Sequence, residues 1–214
     1  MKKPCIVFNI KVTATTHPQQ ILRRIAARGR GWALTPHDFT DLGDDRSIGM
    51  ALTRLVRSGK IRRIGHGLYD QPCLHPLLGQ VGTGTDSVVN AIARKRNLRL
   101  LPSPALAANQ LGPSTQVPAR LVYHTDGAPT RLTLGKLQID LRRNTGRLLG
   151  LAGRSSGLVA QALRDVDKDK VTPEHLRRVR AHLTVPARQQ LLQDLPPVPA
   201  WMRPHFRQIA SNDD

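Results

Sequence analysis

Carboxylates are scarce in this chain. Its 214 residues include a single glutamate, Glu174, and 15 acidic residues in all, against 33 Lys and Arg. No acid pair of the kind used for general acid–base catalysis is visible, and no catalytic residue is assigned. Cysteine is nearly absent. Cys5 and Cys73 cannot build a disulfide framework or a paired-Cys metal site. The eight histidines are scattered, and none forms an HExxH arrangement. No metal and no cofactor are expected. Aromatics make up 3% of the chain, so its core must rest on Leu, Ile, Val and Ala. Long apolar runs are missing too. Residues 4–10, PCIVFNI, are too few for a signal core or a spanning helix. They fit a short strand or a disordered arm equally well. No membrane partner is expected, and the expected location is cytoplasmic. No internal repeat or low-complexity tract occurs.

What the chain has is positive charge. The net charge is +18 and the pI about 11.4. That excess calls for a polyanionic partner, and nucleic acid is the commonest. A GC-rich genome also enriches arginine, so composition alone names no function. The charge is spread over both halves. Residues 1–75 hold 13 Lys and Arg against 5 Asp, and residues 76–214 hold 20 against 10 acids.

The stretch that concentrates chemistry is residues 44–70, DDRSIGMALTRLVRSGKIRRIGHGLYD. Ile48, Leu52 and Leu55 share one helical face. Arg46, Met50, Thr53 and Arg57 share the opposite face, with Arg54 beside them. Asp44 or Asp45 can cap the first turn. Ser58-Gly59 ends the helix, with Gly59 suited to a left-handed position. Lys60-Ile61-Arg62-Arg63-Ile64 then reads as a basic strand with Ile61 and Ile64 as buried candidates. Gly65-His66-Gly67 turns it, and Leu68-Tyr69 starts the return. A helix followed at once by a basic hairpin is the winged arrangement. The helix would enter the major groove while the wing lies on phosphates. The plainer alternative is an amphipathic helix with a solvated basic face.

Upstream, Pro18 opens a helix carrying Ile21, Leu22 and Ile25, capped by Thr16 or His17, and Gly29-Arg30-Gly31 stops it. Residues 32–34 suggest a short extended piece. Thr35-Pro36 opens a second helix, with Phe39 and Leu42 inward and Gly43 at its end. This second helix and the one over residues 46–57 make a helix-turn-helix pair. Residues 71–85 hold Pro and Gly in a pattern expected of a connector.

The second half opens with a helical pattern at Val88, Val89 and Ile92. Strands are expected at 98–101, 120–124, 130–134 and 137–141, the last two as a hairpin around Gly135-Lys136. A helix is expected at 105–111, and helices fill the chain from Ser155 onward. The fold class is α+β: an N-terminal winged helix-turn-helix domain over 1–75 and a mixed α+β domain over 76–214.

Further sites are weaker. Gly82-Thr83-Gly84-Thr85 lacks the Lys of a phosphate loop and the third Gly of a dinucleotide fingerprint. Ser155-Ser156-Gly157 opens a helix and fits an anion site, a modification point or a plain cap. Arg142, Arg143, Arg147 and Arg154 fall within thirteen positions and suggest a second basic patch for nucleic acid or an acidic partner.

Several segments together resemble a known family. They are Ile21-Leu22-Arg23-Arg24-Ile25, Gly31-Trp32, Thr35-Pro36-His37-Asp38-Phe39, Ala51-Leu52-Thr53-Arg54-Leu55-Val56 and Gly59-Lys60-Ile61-Arg62-Arg63. Gly67-Leu68-Tyr69-Asp70 and Gln116-Val117-Pro118-Ala119-Arg120 are the more specific ones, with Tyr123-His124-Thr125-Asp126-Gly127 and Pro199-Ala200-Trp201-Met202 further on. The chain resembles the antitoxins of abortive-infection type IV toxin–antitoxin systems (AbiEi-like), bacterial proteins of phage defence. The resemblance covers most of residues 18–210. It implies a winged helix-turn-helix that binds inverted repeats in its own promoter and represses it. It implies a C-terminal domain that neutralises a cognate nucleotidyltransferase-like toxin without necessarily forming a stable complex. Asp44-Asp45 and Ile48-Gly49 depart from the usual pattern.

The expected function is therefore sequence-specific binding of double-stranded DNA by an autorepressing antitoxin. Arg46, Ser47, Met50, Thr53, Arg54 and Arg57 would approach the groove, and Lys60, Arg62, Arg63 and His66 would hold the backbone. Two alternatives remain. One is an enzyme acting on nucleic acid, or phosphorylating a partner, through the second half. The other is a stand-alone transcription regulator that responds to a ligand.

Overall fold

A computed structural model describes residues 16–29, 31–75, 79–81, 83–115, 120–134 and 137–211. The apolar stretch 4–10, Gly82, segment 116–119 and the turn at 135–136 lie outside these. The architecture is α+β. Contacts gather the chain into two compact units, Met1–Asn97 and Leu98–Asp214.

The first unit begins with helix α1, His17–Arg28. Thr16 caps it, with the Gln19 side chain accepting from the Thr16 amide at 3.3 Å. Gly29 stops it at φ +85°. A short strand β1, Ala33–Leu34, follows. The helix expected after Thr35-Pro36 is a single 3-10 turn, Pro36–Phe39. Asp38 turns back to accept from the Thr35 amide at 2.8 Å, and Gly43 and the next cap leave no room for an α-helix. Helix α2 spans Asp45–Arg57 and buries Ile48, Ala51, Leu52 and Leu55. Strands β2, Arg62–Gly65, and β3, Leu68–Asp70, form a hairpin. Together the three strands make an antiparallel sheet in the order β1-β3-β2.

Ile21, Ile25, Leu34, Phe39, Ile48, Leu52 and Ile61 are nearly or wholly buried in one cluster. Each such side chain contributes about 1.5–3 kcal/mol on leaving water. The cluster fixes α1, the 3-10 turn and α2 against the sheet.

The expected connector over 71–85 carries structure: β4, Cys73–His75, pairs with β5, Gly79–Val81. The expected boundary at 75/76 gives way to one at 97/98. The cause is helix α3, Thr85–Arg96, which packs on β1 and the 3-10 turn. β1 is an edge strand, and α3 satisfies its free backbone groups. The Ala33 amide donates to Ser87 Oγ at 2.8 Å, and Arg94 donates to the Ala33 carbonyl at 2.8 Å. Unpaired buried backbone groups are costly, so this helix is part of the unit's closure.

The second unit holds a four-stranded sheet in the order β6-β7-β9-β8. Its strands are β6, Leu100–Pro102; β7, Leu121–Thr125; β8, Thr130–Leu134; and β9, Leu137–Arg143. β7 and β9 are parallel, and the other pairs are antiparallel. The expected hairpin of 130–134 with 137–141 is present. Helix α4, Pro104–Gln110, is capped by Ser103. Helix α5, Ser155–Val166, is the centre of the unit, with Val159, Ala160, Ala162 and Leu163 fully buried. Gly157 allows its close approach: a Cβ there would stand 2.5 Å from the Leu151 carbonyl oxygen. Helices α6, Pro173–Ala181, α7, Val185–Gln193, and α8, Arg203–Ala210, complete the layer, with Phe206 and Met202 fully buried. Among the described residues, no helix is long and apolar enough to cross a membrane.

Candidate nucleic-acid interface

Helix α2 has one buried and one exposed face, as the 3–4 residue spacing requires. Arg46, Met50, Thr53, Arg54 and Arg57 are exposed. Among the described residues Arg46, Arg54, Arg57, Lys60 and Arg63 carry no ion pair. Met50 is 49% exposed, the largest apolar group on this face.

The charge of α2 is polarised. Asp44 is the cap, its Oδ1 accepting from the Ser47 amide at 2.9 Å. The hydroxyl and amide of Ser47 hold the Asp44 carboxyl below its usual range. Ser47 thereby serves the cap. With Asp45 in the first turn, the helix start is negative, and a phosphate is repelled there. Arg54 and Arg57 lie in the last turn, where cations suit the helix dipole. The positive charge of α2 therefore concentrates in its last turn, with Arg46 beside the two acids at its start.

Thr53 is partly committed. Its hydroxyl donates to the Gly49 carbonyl at 2.8 Å, leaving its methyl and lone pairs outward. Gly49 has open space where a side chain would stand. A helix-interior glycine weakens a helix, and no packing need explains this one. Gly49→Ala is expected to raise stability by about 0.5–1 kcal/mol, read from the denaturation midpoint. A loss of stability would show that the helix backbone there is constrained in a way its surroundings do not reveal.

The hairpin divides its two arginines. Neighbours on a strand face opposite sides. Arg62 stands opposite Asp70 in the register and Arg63 opposite Tyr69. Arg62 grips the fully buried Asp70 with two bonds, at 3.0 and 2.7 Å. The Thr83 amide and hydroxyl donate to the same carboxylate at 3.2 and 3.1 Å. Arg62, expected to hold phosphate, is thus structural. Thr83, from the expected glycine-threonine loop, is spent on the protein's own carboxylate. Arg63 stays outward, its Nε donating to the Gly65 carbonyl at 3.2 Å and its Nη2 3.5 Å from His66 Nδ1. Arg63 and His66 share the tip of the hairpin, where Gly67 turns at φ +63°.

Lys95 joins this site from outside the expected domain over 1–75. It comes from α3, and its Nζ lies 2.8 Å from where a Gly67 Cβ would be. Its helix sits beyond the expected domain boundary, so only a correct boundary would have brought it in.

Two other arginines of this unit are committed. Arg24 pairs with Asp41 at 2.6 Å and lies over the Phe39 ring. Arg94 pairs with Asp38 at 2.8 Å and lies over Trp32.

The expected second patch does not form one surface. Arg142 and Arg143 are adjacent on β9, so they face opposite sides of the sheet. Arg154 is tied to the buried Asp194 at 2.6 Å. Ser156 is also buried and donates to Asp194 at 2.6 Å. The anion at the start of α5 is therefore the chain's own carboxylate, and Ser156 is no modification point. Arg147 lines a cavity in this unit.

Comparison with known proteins gives few relatives. No curated protein matches the chain. A solved structure, titled the crystal structure of RV2827C protein from Mycobacterium tuberculosis, is similar at 17% identity with a TM-score of 0.37, covering 90% of this chain and 76% of that one. A family model matches residues 20–191, four-fifths of the chain, and so the chain belongs to the family of unknown function DUF6088.

Proposed function

We infer that the chain is a sequence-specific DNA-binding protein whose first unit acts as a winged helix-turn-helix. The observation that carries this is the outward face of α2 and the hairpin tip. It gathers Arg46, Arg54, Arg57, Lys60 and Arg63 without a carboxylate partner among the described residues, around an exposed Met50. In this reading α2 lies in the major groove. Arg54 reads base edges, and Met50 and the Thr53 methyl meet apolar base surface. Arg57, Lys60, Arg63 and Lys95 hold phosphates. Gly49 lets the helix backbone approach the groove wall.

The resemblance to type IV antitoxins supports a biological role for this binding. The chain represses its own promoter at inverted repeats, and its second unit neutralises a cognate nucleotidyltransferase-like toxin without needing a stable complex.

Selection of sites from a random duplex pool tests base reading. The protein is expected to enrich one inverted-repeat site. Arg54→Ala and Met50→Ala should lower its preference for that site over random DNA by about 1–3 kcal/mol each. Equal losses on both DNAs would remove these residues from base reading. The antitoxin role is tested by growth rescue when the chain is expressed with the product of an adjacent gene that is itself toxic. Failure to rescue would leave a DNA-binding regulator alone.

A further inference from the structure

The second unit contains a cavity of about 490 Å³, within the range that holds drug-sized ligands. Its lining mixes apolar residues with polar and charged ones. Gln161, from the central helix α5, is 1% exposed, and neither its Oε1 nor its Nε2 has a hydrogen-bond partner among the described residues. The buried Nδ1 of His124, on β7, is unpartnered too. Both side chains line the cavity. Buried polar groups are nearly always satisfied, so two orphan groups on residues that border one cavity mark it as the place where a partner would reach them.

Three guanidiniums line the same cavity: Arg147, Arg164 and Arg203. None has an ion pair among the described residues. Arg203 is held in place, donating to the Val198 carbonyl at 3.1 Å and the Pro196 carbonyl at 3.3 Å. Residues 196–199, Pro-Pro-Val-Pro, form part of the wall and restrict the backbone there. Asn144 also lines it, with its Oδ1 fixed by the Gly146 amide at 2.8 Å. Burial, and then the charges of Arg142 and Arg164, push the His124 imidazole below its ordinary value. It therefore stands neutral at pH 7 and offers one donor and one acceptor.

We propose that this cavity binds a nucleoside monophosphate, with a base edge on the Gln161 amide and the phosphate among Arg147, Arg164 and Arg203. A glutamine amide presents a donor and an acceptor side by side, which complements the edge of a nucleobase. Guanidiniums match phosphate in geometry and charge. The same chemistry is offered by a free nucleotide and by the terminal nucleotide of a strand. All residues that line the cavity belong to the second unit.

The test is calorimetric titration of the whole protein with the four ribonucleoside monophosphates, inorganic phosphate and a short single-stranded oligonucleotide. At least one monophosphate should bind saturably. Gln161→Met removes the orphan amide at similar volume, so the variant should melt at or above the wild-type temperature. It should bind that nucleotide about tenfold more weakly or worse. Arg164→Ala, at an exposed position, should weaken it as well. Tighter binding of the oligonucleotide, lost in Gln161→Met, would assign the cavity to a strand end and overturn the free-nucleotide form. Equal binding of inorganic phosphate and nucleotides would overturn base recognition. Binding unchanged in Gln161→Met would place the nucleotide on the basic face of the first unit, and no binding at millimolar nucleotide would leave the cavity without this ligand. Either result overturns the proposal.

Discussion

Replacing Arg62 by alanine is expected to destabilise the first unit by about 3 kcal/mol, because the half-exposed Arg62 is the cation that pairs with the buried Asp70 carboxylate and its removal strands that charge. Asp70 is fully buried, and Arg62 supplies two of its bonds. Thr83 keeps two more, which places the loss at the low end for such pairs. For a unit of this size the melting temperature should fall by roughly 12–24 °C. Arg63→Ala should change it little, since Arg63 is exposed and pairs with no acid among the described residues. Arg62→Lys should recover only part of the loss, because an ammonium cannot reproduce the two-pronged grip. Thermal melts of the three variants settle the matter. Similar melting for Arg62→Ala and the parent would mean that the Asp70 contact is not formed in solution. The consequence for binding is direct: weaker DNA binding by Arg62→Ala reports unfolding, and Arg63 is the residue that tests the proposed role of the hairpin.

The second large effect concerns charge. Arg57→Ala, Lys60→Ala and Arg63→Ala combined should lower the salt dependence of DNA binding by about three counterions, a change in slope of roughly 2.7. The fall in affinity between 50 and 200 mM salt should then shrink by roughly 40-fold. Stability should barely move, since all three are exposed and only the modest helix-terminus contribution is lost. An unchanged slope in a folded triple variant would take the partner off this face. A loss confined to one DNA sequence would mean these residues read bases rather than phosphates.

Periodicity was the readable part of the fold. The i, i+4, i+7 spacing of Ile48, Leu52 and Leu55 set the buried face of α2, and all three are buried. Gly59 takes the left-handed conformation after the helix, at φ +67°, as its place after Ser58 suggests. Alternation in 130–134 and 137–141 marked the β8–β9 pair. Short elements were less legible. The 3-10 turn at Pro36–Phe39 carries the cap and proline of an α-helix, and only its length, set by the turn to Asp44, distinguishes it. The 3-10 helix Arg147–Leu151, wholly apolar after Arg147 apart from Gly150, has no period to read.

The site divides the same way. Exposure on α2 followed from spacing, so Arg46, Met50, Arg54 and Arg57 fall where expected. The fate of Arg62 did not, because it depends on a register that brings Asp70 opposite it eight residues later. Strict strand alternation would have warned that Arg62 and Arg63 cannot both face a phosphate. The roles of Arg154 and Ser156 are not legible in the sequence for a related reason: their partner, Asp194, is some forty residues away. Carboxylates are few here, and the buried ones, Asp70, Asp140 and Asp194, each bind an arginine. Counting basic residues alone overstates the free positive charge.

One measurement bears most directly on the central claim: binding of the whole protein to the DNA upstream of its own gene, against random DNA, across a salt series. The account predicts a preference for the upstream site that persists above roughly 150 mM salt, where charge alone fades. Equal binding to both DNAs that collapses together with salt would contradict it, and would make the basic face of α2 a non-specific polycation.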